Sequence, residues 1–438
     1  MSLRYRLFTD GIYTFAMRIL AMLFAAALGV LTARVLGTHA RGLYVTPMVD
    51  AGIVTAAFTG LSSATSYFLL RHAAGRAIVR SALVCASLFV LIGACAAAAL
   101  AFLSHTMWAA PAAVISLPGP AALMIVTGYV IGTHRVRRSA TFATISIALM
   151  LAVTLLVFFA AGQRNVSGAI AGWLIATNLM AVAAIVWVAL DARRLPAGTV
   201  SPWAFTQYAL RSGLVGLVTL LNYRSDVYLV AVLGTPSMLG MYTLAVSAAE
   251  ALLAATQITA VVTAPHVASL EETEAAALAA RAVRHNVLVA GVSCVGLAVL
   301  APIAVDLLYG SAFMPVVPAI RILLVGVFAL SLGSPMSTYF TIRLGRPEVP
   351  LVLASSSAAI CIVASILLIP RLGLIGAALA STVAYIAGQS AAILWFASAT
   401  RIDVRAMLVP RLSDLATYVN IAGALLGRRR TRTVERSA

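Results

Sequence analysis

The chain has 438 residues, of which 62% are hydrophobic and only 10% charged, with a mean hydropathy of +1.03. So few charges cannot cover that much apolar surface in water, which excludes a soluble protein of two or three domains and identifies an integral membrane protein. The net charge of +17 comes from arginine alone, with no lysine, and its placement fits membrane topology rather than nucleic-acid binding.

Stretches of about 20 apolar residues bounded by charges or turn residues predict twelve transmembrane helices. They run over 11–34, 42–70, 78–103, 109–131, 140–161, 167–190, 208–233, 239–265, 286–309, 317–341, 349–369 and 373–398. The first is too long for the apolar core of a cleavable signal and reads as a retained span. It carries a stripe of small or polar residues at helical spacing: Gly11, Thr14, Arg18, Ala21, Ala25, Gly29 and Thr32. Such a stripe serves either close helix packing or the lining of a watery cavity. Arg18 in its middle favours the cavity, because a charge at bilayer depth costs about 2.5–3.5 kcal/mol unless it meets water or a partner.

Span two carries Asp50. Span four must be interrupted at Leu117-Pro118-Gly119-Pro120, and such a break survives at membrane depth only where protein or a watery cavity satisfies the freed backbone groups. On span seven, Arg211, Asn222 and Asp226 share one face and Arg224 lies on the other, so Arg224 and Asp226 cannot pair. Glu250 on span eight is the candidate partner of Arg224, and a structural ion pair between neighbouring helices would explain both without a further role. Span eight has its own polar stripe in Thr243, Ser247, Glu250 and Gln257, a pattern that does not suit lipid. At about 1.5 Å per residue, Arg18 lies on the order of 10 Å from the inner face, and Asp50, Arg224, Asp226 and Glu250 about 10–18 Å from the outer one. Arg211 and Arg321 are shallow.

After span eight, Glu271, Glu272 and Glu274 precede Arg281 and Arg284, an order that suits a helix dipole and predicts a cytoplasmic surface helix. Residues 407–427, broken by Pro410, Arg411 and Asp414, read as an amphipathic segment on the anionic inner leaflet or as a solvated tail. Cys85, Cys95, Cys294 and Cys361 all fall inside apolar spans without metal spacing, and read as small buried hydrophobes. The histidines His39, His72, His105, His134 and His285, at span ends, and His266 read as polar anchors. There is no phosphate-binding loop, metal motif or nucleophile elbow, and the chain is expected not to be an enzyme.

With the N-terminus cytoplasmic, arginines concentrate on the inner side loop after loop. The outer side holds only Arg34, Arg41, Arg164 and Arg371. This alternation supports both the span count and an orientation with both termini cytoplasmic. The chain also repeats itself: Val35-Leu36-Gly37-Thr38 followed by Gly42-Leu43-Tyr44 recurs as Val232-Leu233-Gly234-Thr235 followed by Gly240-Met241-Tyr242, at offsets of 197 and 198 residues. Each copy leaves one apolar stretch and enters another, as in transporters built from two duplicated halves.

An arginine-bearing first span followed by Arg34-Val35-Leu36-Gly37 and Arg41-Gly42-Leu43-Tyr44 resembles the polysaccharide (Wzx-type) branch of the multidrug/oligosaccharidyl-lipid/polysaccharide exporter superfamily. So do Asn222-Tyr223-Arg224-Ser225-Asp226, Gly240-Met241-Tyr242, Ala249-Glu250 and the run from Pro370-Arg371-Leu372-Gly373 through Gly376-Ala377-Ala378-Leu379-Ala380-Ser381. The likeness extends over about residues 8–398. Twelve spans, rather than the fourteen of the lipid II flippases, favour that branch.

The resemblance implies an all-α polytopic fold with two six-helix lobes in a V around a central cavity. The lobes would be residues 1–194 and 208–398, joined by a linker at 195–207 and followed by a basic cytoplasmic tail at 399–438. It implies a monomer in a bacterial inner membrane that moves an undecaprenyl-pyrophosphate-linked oligosaccharide from inner to outer leaflet by rocking of the lobes, for surface polysaccharide such as O-antigen and lipopolysaccharide. Carried over by position, Arg18, Arg224, Arg211 and Arg321 would meet the cargo, with Asn222 and Gln257 as polar neighbours. Asp50, Asp226 and Glu250 would bind a coupling H⁺ or Na⁺, with no other cofactor. These acids make the cavity less cationic than in the strongest family examples. Partners would be the lipid-linked oligosaccharide, the bilayer, a polysaccharide polymerase and glycosyltransferases, but not nucleic acid. Two alternatives stand beside this: a cation-coupled multidrug exporter of the same superfamily, and a membrane scaffold for glycan-assembly enzymes.

Overall fold

The computed structural model describes residues 3–72, 75–103, 106–196, 198–411 and 414, and among these the chain is helix and turn with no strand. Lipid offers no partner to a backbone N–H or C=O, so apolar spans close those bonds within a helix. In chain order the elements are α1 (Leu3–Ala56), α2 (Thr59–Arg71), α3 (Gly75–Leu103), α4 (Ala110–Ser116), α5 (Pro118–Gly132), α6 (Val136–Leu155) and α7 (Val166–Ala192). They continue as α8 (Pro202–Leu233), α9 (Pro236–Ser269), α10 (Glu272–Tyr309), α11 (Val317–Ser331), α12 (Gly333–Thr338), α13 (Glu348–Thr400) and α14 (Val404–Leu408). Starts are marked by caps the sequence encodes: Asn165 accepts from the Gly168 N–H at 2.8 Å, and Ser201 precedes Pro202 at the first turn of α8.

Among the described residues nine helical segments are long and apolar enough to cross a membrane, so the chain is an all-α polytopic membrane protein. Two are too long for one crossing. Tyr13–Arg71 has 59 residues and Glu348–Thr400 has 53, about 88 and 80 Å of helix against a hydrocarbon core of about 30 Å. Each bends at one glycine with positive φ, Gly37 at 73° and Gly373 at 57°, a region glycine enters without steric cost. The gaps expected between spans one and two, and eleven and twelve, are therefore single bends in continuous helical runs.

Three expectations change in detail. The break in span four separates α4 from α5, yet Leu117 between them keeps helical angles (φ −59°, ψ −36°), so it is a kink. The acidic segment after span eight is not a separate surface helix. It forms the first turns of α10, which runs unbroken to Tyr309, because no glycine or proline interrupts Arg284–Val287. Of the four cysteines, Cys95 is exposed rather than buried.

The described residues form two compact units. The first comprises Met1–Ala245, Pro302–Ala319 and Ser365–Ala377, and the second Val246–Ala301, Ile320–Ala364 and Ala378–Ala438. The first unit's core is built on Phe58, Phe68, Phe89, Leu117, Trp173 and Phe205. In the second unit Ala275, Ala276, Ala279, Ala280 and Val283 on one stripe of α10 pack against Tyr339, Phe340, Phe396 and Met407. The tail beyond Asp414, with most of the 407–427 stretch and Arg428-Arg429-Arg430, lies outside the described residues, as does His105.

Candidate functional site

Both copies of the repeat lie in the first unit, and they touch. A Cβ on Gly42 would overlap the Pro236 carbonyl oxygen, and a Cβ on Gly240 would overlap the Thr38 carbonyl oxygen and stand 2.9 Å from the Gly42 nitrogen. Only glycine allows backbones this close. Arg41 is 7% exposed and reaches across the contact, donating to the Gly240 carbonyl and, at 2.9 Å, to Thr243 Oγ1. Arg34 donates from Nε to the Leu308 carbonyl at 2.8 Å and from a terminal nitrogen to the Leu307 carbonyl. These are carbonyls of the last turn of α10, where a cation also suits the helix dipole. Two charges that the sequence presents as loop arginines thus serve as fasteners.

The second copy ends in Tyr242, fully buried, whose hydroxyl donates to Asp226 Oδ2 at 2.5 Å and lies 3.4 Å from the Ala377 carbonyl oxygen. Asp226 also accepts from the Val227 N–H at 2.8 Å and is 2% exposed. Asp50 is 5% exposed, and Thr106 Oγ1 approaches it at 3.5 Å. Asp50 and Asp226 are therefore withdrawn into protein, whereas Asp306, near the end of α10, is exposed.

The arginines differ. Arg18 is exposed beside Phe15, Ile19 and Met22 and makes no hydrogen bond or ion pair among the described residues. The other side of α1 is fixed to α6, with Tyr13 Oη 2.9 Å from Thr141 Oγ1 and Thr144 Oγ1 donating to the Met17 carbonyl at 2.9 Å. Arg211 is exposed and likewise without a protein partner among the described residues, and Arg224 is half-buried. Asn222 is buried with Oδ1 unsatisfied. The face expected to join Arg211, Asn222 and Asp226 therefore changes along α8, exposed at its start and buried three turns later.

The second unit holds the rest. Glu250 is half-buried and Gln257 exposed, while Arg321 is exposed and donates from Nε to the Ala298 carbonyl at 3.1 Å. Asn286, fully buried, accepts from Thr259 Oγ1 at 2.7 Å and donates to the Ser331 carbonyl at 2.8 Å, satisfying the end of α11 where the helix breaks before Gly333. In the first unit Asn178 serves the kink in span four, donating to the Ile115 carbonyl at 3.1 Å and the Leu174 carbonyl at 2.9 Å. Sequence reasoning demanded such partners but did not find these two asparagines. Asn178 is a lone amide in an apolar run, and that was the available signal. Asn286 follows Arg284 and His285 at a span end, where an amide draws no notice.

At the other end of the first unit Asp191 accepts from Arg135 at 2.6 Å and Tyr129 at 2.7 Å. In the second unit Asp414, 1% exposed, accepts from Arg284 Nε at 3.0 Å and from the Arg411 N–H at 3.0 Å, while Arg284 donates to the Ala406 carbonyl at 2.6 Å. Burial would raise the Asp414 carboxyl, but the Arg411 N–H and the Arg284 guanidinium overcome it and hold the group below its ordinary value. The start of the tail is thereby tied to α10.

The sequence matches no protein-family model and no curated protein. Solved structures do resemble it. The lipid II flippase MurJ in an inward closed conformation has a TM-score of 0.72 at 15% identity, covering 95% of this chain and 93% of that one. An inward-facing multidrug resistance MATE family transporter of the MOP superfamily has a TM-score of 0.69 at 14% identity, covering 89% and 98%. A MOP superfamily transporter from Pyrococcus furiosus has a TM-score of 0.55 at 16% identity, covering 90% and 95%. At such identities the likeness is one of fold, and the fold of this chain is that of the MOP superfamily transporters.

Proposed function

We propose that the chain is a flippase of the Wzx-type branch that moves a lipid-linked, pyrophosphate-bearing oligosaccharide from the inner to the outer leaflet by alternating access. The lobes would be the two six-helix halves, residues 1–194 and 208–398. The observation that carries this reading is the contrast between Arg18 and Arg211 on one hand and Asp50 and Asp226 on the other. Arg18 and Arg211 are exposed with no protein partner among the described residues, whereas Asp50 and Asp226 are buried and hydrogen-bonded. A guanidinium kept at membrane depth, as Arg18 is by its place in span one, faces a watery path or an anion. The shallower Arg211 would meet the same group nearer the inner face. Each can pair with phosphate oxygens through charge-assisted, bidentate bonds. Arg224, Arg321, Asn222 and Gln257 complete the proposed cargo contacts. Asp50, Asp226 and Glu250 are the proposed carriers of a coupling proton or Na⁺. The multidrug reading requires accessible acids, which suits the half-buried Glu250 better than either aspartate.

The test is transport of a fluorescent undecaprenyl-pyrophosphate oligosaccharide in proteoliposomes. Arg18→Ala and Arg224→Ala are each expected to slow it about 10- to 100-fold, the loss of a hydrogen bond to a charged group worth about 1.5–3 kcal/mol, with membrane insertion unchanged. Wild-type rates in both variants would overturn the reading. Cation-driven efflux of an organic cation, insensitive to both changes, would establish the exporter instead. Loss of surface glycan only on removal of residues 400–438, with both variants normal, would establish the scaffold.

A further inference from the structure

The kink in span four leaves a space. Below it, Gly119 brings α5 so close to α7 that an added Cβ would overlap the Thr177 side chain. Above it, α4 and α7 part around a cavity of about 660 Å³, within the range of about 300–1,000 Å³ typical of ligand sites. Leu43 of α1, Pro111 and Ile115 of α4 and Ile170, Ala171 and Leu174 of α7 line it, with Trp108 at its edge. Every lining residue lies in the first unit. Apart from Ser167 and the indole N–H of Trp108 the lining offers no polar group on a side chain, so the occupant's buried part is hydrocarbon.

Of the lining residues, Ile115 and Trp108 are also exposed apolar side chains on the surface, and Phe102 and Leu103 at the end of α3 are exposed as well. Phe102 is 69% exposed, Leu103 71% and Ile115 54%. None of the residues proposed for the saccharide cargo lines the cavity. The exposed segment Gly162–Asn165, immediately before the lining residue Val166, presents Arg164. Its Nε donates to the Phe158 carbonyl at 3.3 Å and its guanidinium lies 4.7 Å over the Phe159 ring. The terminal nitrogens make no hydrogen bond among the described residues. A cation fixed at its root with its fork free, at the membrane–water boundary, complements a phosphate.

We propose that one glycerophospholipid of the surrounding bilayer is held here, a hydrocarbon chain in the cavity and its phosphate on Arg164. Hydrocarbon gains nothing by leaving one apolar medium for another, so the chain contributes fit and the phosphate contributes selectivity.

The full chain, reconstituted in phosphatidylcholine nanodiscs containing phosphatidylglycerol, is transferred to mild detergent, and retained lipid is counted by native mass spectrometry. Wild type is expected to keep one phosphatidylglycerol. Ala171→Trp, which fills the cavity, is expected to keep none, and Arg164→Ala about tenfold less. Diacylglycerol with the same chains is expected to be retained about tenfold less by wild type. Leu43→Trp replaces Ala171→Trp should the latter lose its helical circular dichroism. Equal retention by a folded filled variant, or equal retention of diacylglycerol, overturns the proposal. Preferential retention of an isoprenyl phosphate also overturns it, because the cavity would then belong to the cargo's tail.

Discussion

Asn178 and Asn286 show what a single amide does inside a membrane protein. Each sits where a helix is bent or broken, and each donates to a carbonyl there. Membrane hydrogen bonds of this kind average about 0.6 kcal/mol with a maximum near 1.7, because the unfolded chain in lipid finds other partners. Asn178→Ala is thus expected to lower stability by about 0.6–1.7 kcal/mol in a detergent-unfolding titration, with Asn178→Gln intermediate. A loss above 3 kcal/mol would mean that the amide holds more than the kink. At this scale the sequence was half legible. Depth and stripe position singled out Arg18, Asp50, Asp226 and Glu250. The roles of Arg34, Arg41 and Tyr242 were hidden, because a fastener is recognised only by the carbonyl or carboxylate it reaches, and those partners lie far away in sequence.

At the scale of elements, apolar length and helical period announced the helices. The predicted stretches fall on helix apart from turns at Ala57–Phe58, Leu117 and Leu332 and the bend at Ala161, the last residue of span five. What the pattern could not give is where one helix becomes the next. Gly37 and Gly373 make bends where loops were expected, and α10 absorbs a segment that looked independent. The tail's attachment to α10 was also invisible, since Asp414 resembled a charge that merely disrupts a span. Its depressed carboxyl gives the attachment a pH dependence. The stabilisation is complete above the ordinary carboxylate value of 3.8 and is lost as pH falls through the lower value of the folded state. Protection of residues 401–411 against hydrogen exchange is therefore expected to hold from pH 8 to about 5 and to weaken below about 4. Asp414→Asn is expected to remove that pH dependence and to cost about 1.5–3 kcal/mol of local protection at neutral pH. An unchanged pH profile in the variant would show that another acid controls the segment.

For the whole molecule, composition alone excluded a soluble fold, and the arginine pattern supplied an orientation. That orientation is open to a direct check. With the four native cysteines replaced, single cysteines at Arg164 and Arg135 are expected to differ in intact cells. The first should react with an impermeant maleimide, and the second only after the membrane is opened. Labelling of Arg135→Cys from outside would invert the orientation and with it the direction of transport.

The contact between the repeat copies carries a consequence for engineering. Gly42 faces Pro236 while Gly240 faces Thr38, so each copy offers its glycine to the segment just before the other's. Reciprocal contact of this kind is the mark of an isologous interface, the surface by which two identical subunits pair about a two-fold axis. The two copies thus meet in the pattern of such a face, with Arg41 on one side only, since its counterpart in the second copy is not an arginine. Cutting the chain at the linker, between Pro196 and Ser201, and expressing the two pieces together is expected to give fragments that co-purify. Gly240→Val, which closes the space at that face, should separate them while leaving each inserted in the membrane.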